Sequence, residues 1–252
     1  MIQEYCTLTR RELGSYFLSI TGYIILAAAT FVLGWSFVVL MEKLGTTPTP
    51  MPLTEMFYVT DFFWLILLLG PPVITMRLFA LEKFSGTFET LMTAPVSDLQ
   101  VVLSKFSAGF IFYLVLWLPL VACILAVRHF ANDSNSLDLG ALGTTFLGIG
   151  LLGSVLVAVG CCASALTRNQ AVAAIISLAF GVTVYLLAVL ASGQLSDTGS
   201  WKDRALGCFA LFEQMHDFSR GVVDTRPVVF LVSVTLFFLF LNLRIVESRR
   251  WK

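Results

Sequence analysis

The stretch "LEKFSGTFETLMTAPVSDLQ", residues 81–100, is a polar, patterned interruption between two long apolar runs. A Gly86-Thr87 pair is followed by Glu89 and then by Pro95, with Leu91 between them. The stretch parses as a short helix near 87–93, begun after Ser85-Gly86 and ended before Ala94-Pro95, because a residue preceding proline is pushed out of the α region. Phe88, Leu91 and Met92 give this helix apolar contact area, and Glu82 and Glu89 give it charge. "PVSDLQ" then restarts a helix towards the next apolar run, with Ser97 or Asp98 as its N-cap.

The surroundings of that stretch decide the fold class. Of the 252 residues 58% are hydrophobic and 13% charged, and the mean hydropathy is +0.87. Crossing about 30 Å of hydrocarbon takes about 20 apolar residues. Six runs meet that need, at 19–41, 59–81, 106–127, 142–166, 171–192 and 227–243. They leave little chain for a soluble domain, so the sequence reads as one all-α integral membrane domain over 1–252. The polar lead before the first run does not have the form of a cleaved signal peptide. The five cysteines, at 6, 123, 161, 162 and 208, are scattered and offer neither a disulfide framework nor paired metal ligands.

Six spans put both termini on one side. With the termini inside, the inner segments carry ten of the 16 Lys/Arg and six of the 16 Asp/Glu, a net +4 against −4 for the outer loops. Excess Lys and Arg marks the cytoplasmic side. Both termini and residues 82–98 are therefore expected in the cytoplasm.

Four further segments carry a pattern. The lead 1–18 is loosely amphipathic, with Ile2, Tyr5, Cys6, Leu13, Tyr16 and Phe17 set among Glu4, Arg10, Arg11 and Glu12; it reads as an interfacial helix, or else as a plain positive flank. Gly70-Pro71-Pro72 should kink the second span, and the proline-rich first outer loop reads as an extended spacer. Span four places Gly150, Ser154, Ala158 and Cys162 on one small-residue stripe, suited to packing within the chain or to a dimer seam, the former being preferred. In the outer segment 193–226, Leu211, Met215, Phe218 and Val222 fall on one helical face, as for a re-entrant or capping helix or one lying on the outer headgroups.

Little in the spans suggests catalysis. Asp61 and Lys105 fall at span edges, where snorkelling would account for them, and Arg77 lies near the inner end of span two. His129 and His216 belong to different outer loops, so a histidine metal site or a Ser-His pair lacks its parts, and no residue is a candidate catalyst or metal ligand. His216-Asp217 reads as part of a charged helix face. No Gly-Lys pair occurs, so no phosphate-binding loop is present. Any ATP used must be hydrolysed by another chain.

The pattern Glu82-x-x-x-Gly86-Thr87-x-Glu89-x-Leu91-x-x-x-Pro95, placed between spans two and three of a six-span chain, resembles the signature of ABC-2 type transporter permeases. Lys83 departs from the arginine common in relatives. The ending "FSRGVVDTRPVVFLVSVTLFFLFLNLRIVESRRW" further resembles the gliding-motility and copper-enzyme-maturation branch. The resemblance implies that the 82–98 loop is a coupling helix docked on an ABC ATPase subunit, with Glu82, Gly86, Thr87, Glu89, Leu91 and Pro95 at the contact. It also implies a second permease copy or a homologous permease, lipid around the spans, and a periplasmic or auxiliary subunit, in a bacterial inner membrane. No cofactor is expected in the chain itself, since ATP and Mg belong to the partner, and nucleic acid is not an expected partner. Three readings remain: an exporter-type permease subunit, a non-transporting anchor or mechanotransmission subunit, and a membrane enzyme, the last disfavoured by the missing polar cluster.

The charge asymmetry makes the topology testable. Single cysteines placed in 43–58 or 193–226 are expected to react with an impermeant maleimide from outside, and those at 83–98 only after permeabilisation. Outside labelling at 83–98 would invert the arrangement.

Overall fold

The structure, a computed structural model, describes residues 2–46, 53–88, 96–131, 139–194 and 211–250. Among them no strand occurs, and six helical segments are long and apolar enough to cross a membrane: Ile20–Lys43, Asp61–Ser85, Asp98–Val127, Gly140–Leu166, Gln170–Ala191 and Thr225–Ser248. The all-α six-span reading therefore holds. An N-terminal helix, Ile2–Phe17, precedes span one, and two short helices, Leu53–Tyr58 and Leu211–Ser219, lie at the far end of the bundle from the chain termini.

Prolines shape two of the spans. Span three consists of Asp98–Leu116 and Leu118–Ala131. Pro119 has no N–H to give the Val115 carbonyl and its ring crowds that group, so the Trp117 N–H bonds the Leu114 and Val115 carbonyls instead. This break was not foreseen. In span two the helix Asp61–Thr75 runs through Pro71 and Pro72, and the interruption comes a turn later, at 76–79, before the helix Ala80–Ser85.

Span four is the most buried of the six and forms the spine of the bundle. Lipid tails are as apolar as leucine, so helices in a membrane associate through close packing rather than through exclusion of water. Three glycines permit that approach. A Cβ on Gly153 would stand 1.9 Å from the Tyr113 ring, one on Gly160 2.0 Å from Thr75 Oγ1, and one on Gly148 2.9 Å from Phe218. Spans two and three and the short helix Leu211–Ser219 thus each press on a glycine. The small-residue stripe is used within the chain: Ser154 Oγ lies 3.0 Å from Thr235 Oγ1, Cys162 Sγ donates to the Phe238 carbonyl at 2.9 Å, and Gly150 faces Phe110 and Leu114. Ala158 is fully buried.

The far end is closed by charge. Leu211, Met215 and Phe218 turn inward as their spacing requires. Val222 does not share their face, because the helix ends at Ser219 and the chain turns through Gly221 at φ +87°. The first outer loop is more than a spacer: its Glu55, 3% exposed, receives Arg220 Nε and Nη2 at 3.1 and 3.0 Å, and His216 Nε2 lies at 3.1 Å. His216 also lies 3.8 Å from Asp217.

The Arg220 hydrogen bonds hold the Glu55 carboxyl below its usual range, against the opposing effect of burial. A carboxyl depressed by folding stabilises the fold above its unfolded pKa of about 4.3, and that contribution disappears as pH falls through the lower folded value. Glu55→Gln should therefore lower the melting temperature at pH 7 and remove part of the acid-side loss of stability. An unchanged melting curve from pH 7 to pH 3 would rule out the clasp.

Candidate coupling site

The interruption of span two frees backbone groups in the interior, and three neighbouring elements satisfy them. Ser164 of span four accepts from the Phe79 and Ala80 N–H groups, each at 3.0 Å, and donates to the Met76 carbonyl at 3.3 Å. Its hydroxyl thereby caps the helix Ala80–Ser85. The Tyr16 hydroxyl of the N-terminal helix donates to the Ile74 carbonyl at 2.8 Å. Lys105 of span three donates to the Leu78 carbonyl at 2.8 Å.

Lys105 does not snorkel to water. It is 1% exposed, and its ammonium also donates to Glu12 Oε1 at 3.1 Å and pairs with Glu82 Oε1 at 2.9 Å, so two carboxylates and a carbonyl surround the charge. The Phe79 ring lies 5.3 Å from the nitrogen. Arg11, half exposed, bridges the same two carboxylates at 3.0 and 3.3 Å. Two acids and two bases form a neutral cluster, which suits a buried place: each uncompensated ion there would cost several kcal/mol. Span three begins as a helix at Asp98, well before the apolar run that marks it in the sequence, and so carries Lys105 well inside the helix.

The N-terminal helix lies along this site. Glu4 accepts from Gln100 Nε2 at 3.0 Å, the Tyr5 hydroxyl lies 2.6 Å from Ser107 Oγ, and Tyr16 stacks on Phe112 at 4.8 Å. The Gln100 bond holds the Glu4 carboxyl below its usual range. The buried stripe of the helix, Thr9, Glu12 and Tyr16, is largely polar, which an apolar-residue reading could not pick out.

The residues expected at the contact divide. Glu82 turns inward onto Lys105; its Oε2 is also buried and has no hydrogen-bond partner among the described residues. Gly86 and Thr87 are exposed. Gly86 ends Ala80–Ser85 at φ +76°, with open space where a Cβ would stand, so backbone handedness and not crowding is what asks for glycine. Thr87 and Phe88 are helical, as the start of a short helix there requires; Glu89, Leu91 and Pro95 lie outside the described residues. On the return side Ser97 is the N-cap, accepting from the Gln100 N–H at 3.3 Å while Gln100 Oε1 accepts from the Ser97 N–H at 3.0 Å. Lys83 donates to the Ala165 carbonyl and lies 5.3 Å from the Phe88 ring centre. Both ends of the loop are therefore pinned to the bundle.

Glu12, Lys105 and Ser164 are the residues that the sequence reading missed. One signal was present: Lys105 stands in "VVLSKFSAGF", with apolar residues on both sides, and an ionisable group so placed tends to be functional.

Residues 19–184, which include every element of this site except the N-terminal helix, match the model of the ABC-2 family transporter proteins. The chain belongs to that family. It is a multi-pass membrane protein of a kind that serves as the membrane component of ABC transporters, is generally not itself catalytic and generally works with an ATPase subunit. The branch resemblance rests on an ending that lies beyond the matched residues. No curated protein matches the chain.

Removing one member of a buried ion cluster costs about 3–5 kcal/mol, whereas replacing a balanced set by neutral groups can cost little. Lys105→Met should therefore lower the thermal stability of the purified chain markedly, and the added change Glu12→Gln should restore most of the loss, leaving Glu82 to Arg11. Equal melting temperatures for Lys105→Met and the parent would show that the ammonium is not buried among these carboxylates.

Proposed function

We propose that this chain is the permease subunit of an exporter-type ABC complex, in which a separate ATPase subunit docks on the 82–98 loop and drives movement of substrate, or of force, across the membrane. The observation that carries this reading is the loop's construction. Its two ends are fixed to spans two, three and four and to the N-terminal helix by Lys83, Glu82 and Gln100, while Gly86 and Thr87 stand exposed between them. A segment held at both ends, with exposed residues between them, can pass a displacement from a docked partner into the bundle.

In this reading the loop and both termini face the cytoplasm across a bacterial inner membrane, in line with the Lys/Arg asymmetry. The whole chain acts as one transmembrane domain, and ATP and Mg bind to the ATPase alone. Gly86, Thr87, Glu89, Leu91 and Pro95 supply the contact, and Glu82 supports it from behind. A second permease, identical or homologous, completes the pair. Its seam belongs to a surface other than the small-residue stripe of span four, which span six already covers with Thr235 and Phe238.

The test is to purify the tagged chain from its native membrane with the ATP-hydrolysing subunit bound. Glu89→Lys reverses a charge at the contact, and the loss of such a pair typically costs about 2–5 kcal/mol, or a roughly thirty-fold or larger fall in affinity. Gly86→Val forces a β-branched residue into a left-handed conformation at the start of the loop. Both variants should insert normally, lose the copurifying ATPase and lose its dependence on the permease. Wild-type binding and wild-type coupled turnover in both variants would remove the docking assignment.

A further inference from the structure

The Glu12–Lys105–Glu82 cluster ties the N-terminal helix to two elements that lie far from it in sequence, span three and the second half of span two. We propose that Lys105 is a positioning residue for coupling, which makes the N-terminal helix a moving arm of the transmission rather than a passive flank of span one. The proposal rests on the docking reading above and goes beyond it.

Stiffness of the linkage is what makes the elements move together. Glu82 sits four residues before Gly86, on the helix that leads directly into the exposed Gly86 and Thr87. Displacement of that helix pulls on its carboxylate. Lys105 shares its ammonium among Glu82, Glu12 and the Leu78 carbonyl, and all lie within 3.1 Å. Stretching any one of these contacts would leave a charge or a carbonyl unpaired in the interior, so the partners travel together. The N-terminal helix cannot slip past span three instead, because Glu4–Gln100, Tyr5–Ser107 and Tyr16–Phe112 fix their register along its length. Arg11 closes the same circuit from the exposed side. At its other end the helix enters span one through a tight turn, where a Cβ on Gly22 would fall 2.0 Å from the Tyr16 carbonyl oxygen. Movement of the arm is therefore passed on to span one. By this route one docked loop reaches spans one, two and three, although it is continuous in sequence with spans two and three alone.

The chain supplies its own reporter. Cys6 is exposed on the N-terminal helix, Cys161 and Cys162 are buried and Cys123 is half-buried. With Cys208→Ser as background, a soluble environment-sensitive maleimide dye is attached at Cys6 of the native complex in nanodiscs. Fluorescence is then read with and without Mg-ATP. The expected result is a nucleotide-dependent shift in the parent, and its loss in Glu12→Gln/Lys105→Met although the ATPase stays bound. Retention of the ATPase separates that split from gross misfolding, since the double variant leaves no unpaired buried charge and removes only the donor to the Leu78 carbonyl.

Three results would overturn the inference while leaving docking intact: no shift at Cys6 in the parent, a shift that persists in the double variant, or loss of the ATPase from the double variant, which would make Lys105 part of the dock. Absence of any ATPase from the purified parent complex would remove the docking reading itself, and this inference with it.

Discussion

The burial of the Lys105 ammonium is the constraint around which the terminal end of this bundle is organised. An isolated ammonium in the interior costs several kcal/mol, so its acceptors must be present and well placed. One comes from the interruption of span two, which exposes the Leu78 carbonyl, and two come from carboxylates on separate elements. None of these partners would be tolerated alone. A bare carbonyl in an interrupted helix, a buried Glu12 and a buried Lys105 are each destabilising, and only together do they become a joint.

Span four makes that joint reachable. Its glycines let spans two and three approach until Thr75 and Tyr113 touch the backbone of the spine, and its Ser164 caps the helix that resumes after the interruption. The small residues that the sequence left open between packing within the chain, the preferred reading, and a dimer seam are taken up in this packing. Small residues on a membrane helix specify that something approaches closely, and they do not specify what. Only the position of span four, in contact with spans two, three, five and six at once, settles that the approach is internal.

The reach of the sequence depends on which interactions are local. Spans were legible because the need to cover hydrocarbon acts on each segment separately. The Ser97 cap and the turn at Gly86 were legible for the same reason, since each is decided within a few residues. The pairing of Glu12 with Lys105 was not, because 93 residues separate them and nothing near either one announces the other. Glu55 and Arg220 stand 165 apart and were equally hidden. Prolines act differently in the two spans: Pro71 and Pro72 are carried inside a continuing helix, whereas Pro119 coincides with a break. The residue type fixes a missing donor, but the neighbours decide whether the helix gives way there.

The ends of the bundle and its middle resist deformation differently. At the terminal end Lys105 holds two carboxylates in the interior, so sliding there separates buried charges, while at the far end the half-exposed Arg220 grips the buried Glu55. Between them, spans four and six meet through contacts such as Ser154–Thr235 and Cys162–Phe238. Hydrogen bonds of that kind between membrane helices contribute only about 0.6 kcal/mol on average. Breaking a buried ion pair costs several times as much. The broad seam of spans four and six is thus held by packing and weak hydrogen bonds, whereas the unit made of the N-terminal helix and spans two and three is also held by buried charge. In the docking proposal, a push at the loop is therefore carried by that unit as a block rather than by the bending of one helix.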